Sequence, residues 1–141
     1  MGLFDKLKKK TVDDYAKEGD ALCDQGKLSE AIEIWKQGLA SLPEPINAQS
    51  EAVWFQVSIG DTYFMQGQYE RAYGYLLEAK SNLSGEGATN PFVMMRLGQS
   101  AYELGKDDSR EYLLRAYMLE GEGIFEEENE KYLESIKDLI G

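Results

Sequence analysis

The groups in this chain that could do chemistry are overwhelmingly carboxylates: 26 Asp and Glu among 141 residues, with no histidine. Without histidine there is no imidazole base, no Ser-His-Asp triad and no His ligand for a metal. Cys23 is the single cysteine. It has no histidine to activate it as a nucleophile and no second thiol for an intramolecular disulfide, a pattern that suits a reducing compartment. Gly85-Glu86-Gly87 and Gly121-Glu122-Gly123 lack the preceding strand that a phosphate loop requires. The run Glu126-Glu127-Glu128 lacks the oxygen spacing of a calcium loop and reads as a solvated face or first-turn acids of a helix. Paired carboxylates hydrolyse glycosides at set separations, and a chain this acidic presents pairs at many separations. These residues predict no enzyme, no metal site and no cofactor.

Recognition is the chemistry that remains. The formal net charge is −11; residues 1–10 hold four of the 15 bases and one of the 26 acids, so the remainder carries −14. Proteins grip nucleic acid with clustered Lys and Arg, so nucleic acid is not an expected partner. Another protein with a basic or basic-hydrophobic surface is expected instead. No run of about 18 apolar residues could span a membrane, and the start lacks the apolar stretch of a secretory signal. The expected location is cytoplasmic. Residues 1–10 stand apart: Leu3, Phe4 and Leu7 share one side of a helical turn, with Lys6, Lys8, Lys9 and Lys10 around them. Such a short basic amphipathic segment either touches a membrane weakly or is a frayed start stapled onto the body.

The task of positioning these groups falls to a helical repeat. Gly19, Gly60 and Gly98 are each followed seven residues later by another glycine, at Gly26, Gly67 and Gly105. A second helical pattern then carries Ala31 and Trp35, Ala72 and Leu76, or Ser109 and Leu113, and closes on Gly38, Ala79 or Ala116. A glycine inside a helix costs about 1 kcal/mol relative to Ala, which is tolerable where a side chain would block a partner helix. The second glycine supplies the positive φ that ends a helix. Trp35, Leu76 and Leu113 are expected to fill the volume between the paired helices.

Helices are therefore expected over 12–25, 28–42, 46–66, 69–83, 91–104 and 107–121, the fifth opened by Asn90-Pro91 as N-cap and first-turn proline. A last helix over 127–140 places Tyr132, Leu133, Ile136, Leu139 and Ile140 on one face and caps the final hairpin. The fold class is all-α, an antiparallel helix-hairpin solenoid. Its domain, 11–141, has hairpins at 12–42, 46–83 and 91–121.

These residues resemble the tetratricopeptide repeat (TPR), whose signature runs W-x2-L-G-x2-Y, then A-x3-F, then P. The first unit reads Tyr15, Glu18-Gly19 and Leu22, then Ala31, Trp35 and Pro43. The second reads Gln56, Ile59-Gly60 and Tyr63, then Ala72 and Leu76, with Ser84 in the proline position. The third reads Met94, Leu97-Gly98 and Ala101, then Ser109 and Leu113, one residue short in its turn. The units recur at 41 and 38 residues, longer than the family's 34, with the surplus in the inter-hairpin segments.

In that family the first helix of each hairpin lines a concave groove. The resemblance implies groove positions at Asp13, Ala16, Asp20, Cys23 and Asp24, at Trp54, Val57, Asp61, Phe64 and Met65, and at Phe92, Met95, Gln99, Tyr102 and Glu103. The groove is then acidic at one end and aromatic toward the other. Aromatics there supply binding energy and charges supply register; alternatively, Trp54, Phe64 and Phe92 are ordinary core residues at helical spacing. The members of the family that clamp a chain-terminal carboxylate use Lys, Arg and Asn. Here Asp20 and Asp61 take the Asn positions and only Arg96 is basic, so an acidic tail should be repelled. The stretch 113–121, with Phe125 and 131–134, is similar to the end of small bacterial TPR proteins found with polymorphic toxins. That resemblance implies an immunity protein that binds and neutralises a basic toxin domain. The alternatives are a chaperone for a secreted protein and a generic assembly scaffold.

Overall fold

The computed structural model describes residues 9–141, and the segment carrying Leu3, Phe4 and Leu7 lies outside them. Six helices form three antiparallel hairpins: α1 (Val12–Asp24) with α2 (Leu28–Ala40), α3 (Glu51–Met65) with α4 (Tyr69–Lys80), and α5 (Pro91–Glu103) with α6 (Ser109–Glu120). Each hairpin stacks on the next through α2 against α3 and α4 against α5. The first helices, α3 and α5, also touch directly.

The spacing of small residues explains the pairing at atomic detail. A Cβ on Gly60 would stand 2.7 Å from Leu76 Cγ, and one on Gly98 would stand 2.6 Å from Leu113 Cγ. At Gly19 the obstacle is the Trp35 indole, whose Nε1 donates to the Ala16 carbonyl at 3.4 Å. Only glycine lets the second helix approach this closely. The hairpin turns place Gly26, Gly67 and Gly105 at φ of 77°, 74° and 69°, the left-handed conformation that a side chain disfavours. Ala31, Ala72, Ala79 and Ala116 are fully buried beside Trp35, Leu76 and Leu113.

Helix starts follow their caps. Thr11 and Asp14 form a reciprocal capping box at α1, and the Asn90 side chain accepts from the Phe92 and Val93 amides at α5. The helix expected over 46–66 begins later. Ile46–Ala48 is a 3-10 turn, Gln49 is extended, and the α-helix starts at Glu51. The reason is tertiary. The Asn47 carbonyl accepts from the Leu83 amide at 2.8 Å, and the Gln49 carbonyl accepts from Asn82 Nδ2 at 2.9 Å. The Asn47 carbonyl is given to the end of α4, and the Gln49 carbonyl is shared between Asn82 and the Ala52 amide at the start of α3, at 3.1 Å.

The single helix expected over 127–140 is also broken. A 3-10 turn (Glu122–Phe125) is followed by α7 (Glu130–Glu134) and α8 (Lys137–Ile140). Ile136 takes φ −118° and is buried, and the Ser135 carbonyl accepts from Arg110 Nε at 3.0 Å. Burying Ile136 in the core and giving that carbonyl to Arg110 interrupts the helical ladder. Phe125, Tyr132 and Ile136 belong to the same buried cluster as Met95, Leu97 and Leu113, so this segment covers the last hairpin. No described helix is long and apolar enough to cross a membrane.

Candidate functional site

The expected groove residues divide into two groups. On α1, Asp20 and Asp24 are exposed and take part in no ion pair among the described residues, whereas Asp13 pairs at the surface with Lys17 at 2.9 Å. Burial, followed by the charges of Asp24, Asp20 and Asp61, pushes the Cys23 thiol up. A thiol raised in this way, by burial first and by the nearby carboxylates second, yields less of the thiolate that a nucleophile needs. No cluster of metal-ligating side chains occurs among the described residues.

On α3, Trp54 remains 43% exposed although it meets the Trp35 ring edge-on at 5.9 Å and the Phe55 ring at 5.5 Å. It is packed on one side while the other faces outward. Met65 is 53% exposed one turn beyond Asp61. Exposed acids on α1 and an exposed indole and thioether on α3 are thus what these two helices present to solvent.

The third hairpin differs. Arg96 Nε donates to Asp61 Oδ1 at 2.7 Å, and its Nη1 donates to Gln99 Oε1 at 2.6 Å and Glu128 Oε1 at 2.5 Å. Gln99 Nε2 donates to the same Glu128 oxygen at 2.6 Å. The guanidinium lies over Phe64 at 4.7 Å and Phe92 at 4.8 Å. Burial alone would lower the Arg96 pKa, but hydrogen bonds and charges from Asp61 and Glu128 outweigh it and the net shift is upward. This cation is locked in its charged state and is already spent on internal partners.

Next to it, Lys131 Nζ donates to Glu103 Oε1 at 2.5 Å, and the Tyr102 and Tyr132 rings meet edge-on at 5.4 Å. Burial raises the Tyr132 phenol far above its ordinary range. Gln99 has no exposure and Met95 only 1%.

No family model matches this sequence, and no curated protein matches it. The fold does have solved counterparts. One is the first TPR of Spaghetti (RPAP3) bound to the HSP90 peptide SRMEEVD; the TM-score is 0.66 at 17% identity, over 92% of this chain and 93% of that one. The fold is a TPR-like helical solenoid. Likeness at that identity establishes architecture alone, so the TPR groove must be judged by the residues present here.

Among the expected groove positions, Asp13, Asp20 and Asp24 on α1 and Trp54 and Met65 on α3 are accessible. Met95 and Gln99 do not line an open surface, because the C-terminal segment covers their hairpin and Glu128 holds the Gln99 amide. Asp61 is engaged by Arg96 rather than standing free, and Phe64 and Phe92 are half-buried under the same guanidinium. Tyr102 keeps 37% exposure but leans on Tyr132.

Sequence reasoning missed the Arg96–Glu128 and Lys131–Glu103 pairs, reading Glu128 as part of a solvated face or as a first-turn acid of a helix. The available signal was the lone arginine of α5 beside a glutamine, three residues apart on one helix face.

Proposed function

We propose that the chain is a non-catalytic protein-binding module that captures a basic, partly apolar segment on the α1–α3 part of its concave face. The observation that carries this reading is Trp54. It is a large aromatic that meets Trp35 and Phe55 edge-on yet stays 43% exposed, while Asp20 and Asp24 on α1 are exposed and in no ion pair among the described residues. Aromatic anchors supply much of the energy of protein interfaces, and charges add steering and register.

The RPAP3 TPR is described with a peptide whose sequence, SRMEEVD, is acidic at its end. Here Arg96 is consumed by Asp61 and Glu128, Lys17 pairs with Asp13, and Lys131 pairs with Glu103. None of the expected groove positions is itself a cation, and Arg96, the basic residue next to them, is held by Asp61 and Glu128, so the chemistry favours a peptide of opposite charge. Sequestration of a basic toxin domain is the form of this function that the sequence resemblance suggests. The residues carrying that resemblance include Leu113, Ala116, Phe125 and Tyr132, all buried. They serve the core, so charge and the open indole are what support this reading.

The test compares SRMEEVD with a fluorescent peptide of alternating Arg and Leu at low salt. The basic peptide should bind and SRMEEVD should not. Asp20→Lys with Asp24→Lys should weaken the basic peptide about tenfold or more, with thermal stability unchanged. Equal binding of both peptides, or indifference to the double substitution, overturns the proposal. Co-expression with the product of the neighbouring gene then separates toxin neutralisation, which preserves growth, from a chaperone role, which raises the partner's solubility.

A further inference from the structure

A second recess lies away from the groove. It has a volume of about 470 Å3 and is lined by Leu39 of α2, Glu44, Pro45, Ile46 and Asn47 of the following loop, Gln56 of α3, and Glu78 and Ser81 of α4 and its end. That volume falls within the span of about 300–1,000 Å3 typical of ligand sites. Gln56 is two residues beyond Trp54, hence about 200° around the helix, so the recess opens on the opposite face of α3 from the exposed indole.

Three observations single it out. First, the loop forming one wall is held in place before anything binds, through Asn47 to Leu83 at 2.8 Å and Gln49 to Asn82 at 2.9 Å. Second, Gln56 is only 2% exposed, and its Oε1 has no hydrogen-bond partner among the described residues. An unpaired buried acceptor is unfavourable, and rotation about the soft terminal torsion of the amide can turn it toward an incoming donor. Third, the lining carries two exposed carboxylates, Glu44 and Glu78, and no Lys or Arg. Among the described residues neither glutamate forms an ion pair within 4 Å, and Glu44 accepts the Ile46 amide at 3.3 Å.

We infer that this recess receives an arginine side chain of a partner protein. A guanidinium carries five donors, no acceptor and weakly hydrated faces that lie well on apolar walls. That inventory matches two carboxylates and an unsatisfied amide oxygen beside Leu39, Pro45 and Ile46. Lysine offers a more strongly hydrated point charge and fits such walls less well. The site uses none of the groove residues and stands whether or not the groove binds.

The experiment titrates the 15N-labelled chain with N-acetyl-arginine-methylamide, its citrulline counterpart and agmatine, following the Gln56 side-chain amide and the Asn47 backbone amide. The arginine amide should give saturable shifts with a Kd in the millimolar range, as expected of one side chain acting alone. Citrulline should give none. Glu44→Gln with Glu78→Gln should weaken the arginine amide at least fivefold; both positions are exposed, so the fold is retained. Gln56→Leu should weaken it independently, with circular dichroism checking the helices. Equal binding of citrulline overturns charge recognition. Binding of agmatine without the arginine amide overturns a protein side chain as the occupant. Absence of saturable shifts overturns the site. Asp20→Lys with Asp24→Lys should leave these shifts unchanged, which separates failure here from failure of the groove.

Discussion

The first helices of the three hairpins carry equivalent expected groove positions, and those positions have opposite fates at the two ends of the solenoid. At the α1–α3 end the groove positions are Asp20, Asp24, Trp54 and Met65, and they remain accessible. At the α5 end the corresponding positions include Met95 and Gln99, and they are buried. The difference is Arg96. One guanidinium gathers Asp61, Gln99 and Glu128 and lies over Phe64 and Phe92. Together with the buried Phe125, Tyr132 and Ile136, it holds the C-terminal segment across the third hairpin. A repeat architecture distributes similar surfaces along its length, and one internal ion-pair cluster with its apolar neighbours sets which of them stays exposed.

The sharpest way to break this comparison is to place a polar side chain at each end. Ile136→Asp should cost about 4 kcal/mol, because an unpaired carboxylate would occupy a fully buried position. Trp54→Ser at the open end should cost about 1 kcal/mol, mainly its edge-on ring contacts. Urea denaturation measures both. Equal losses would mean that the exposed indole is as structural as the cap.

Arg96→Met comes next, at about 2–3 kcal/mol, since it leaves Asp61 and Glu128 facing one another without their shared cation. Adding Asp61→Asn and Glu128→Gln should recover most of that loss, because the penalty lies in the uncompensated charges. A triple variant no more stable than Arg96→Met would refute the electrostatic account and leave packing over Phe64 and Phe92 as the cause.

The smallest effect sharpens the open end. Burial and the charges of Asp24, Asp20 and Asp61 raise the Cys23 pKa, so less thiolate exists at a given pH and the pH-rate curve for iodoacetamide moves upward relative to a free cysteine peptide. Asp20→Asn with Asp24→Asn removes two of those charges and should speed alkylation at pH 8 by about twofold. No change would mean that these two acids do not converge on that point.

The hairpins were legible because the repeat writes its packing into residue size. Gly19, Gly60 and Gly98 mark where a second helix comes close, and Trp35, Leu76 and Leu113 are what comes close. The segment 46–50 was not legible as lying outside the α-helix, because its Asn47 and Gln49 carbonyls are claimed by Leu83 and Asn82, more than 30 residues later. The groove was legible as a set of positions but not as an open or closed surface. Exposure at Met95 depends on what the segment after Phe125 does, and helical periodicity carries no information about that.

The sequence by itself determined the helical class, the three hairpin turns, the acidity and the absence of histidine chemistry. Those are properties of local residue order: glycines at fixed spacing, apolar residues at helical period, charge by count. Only the tertiary structure decided that Arg96 is spent internally, that Asp61 and Gln99 are its partners, and that Ile136 breaks the last helix to enter the core. Those outcomes depend on competition between distant groups for the same donors, acceptors and buried volume, and such competition is resolved only when the chain has folded.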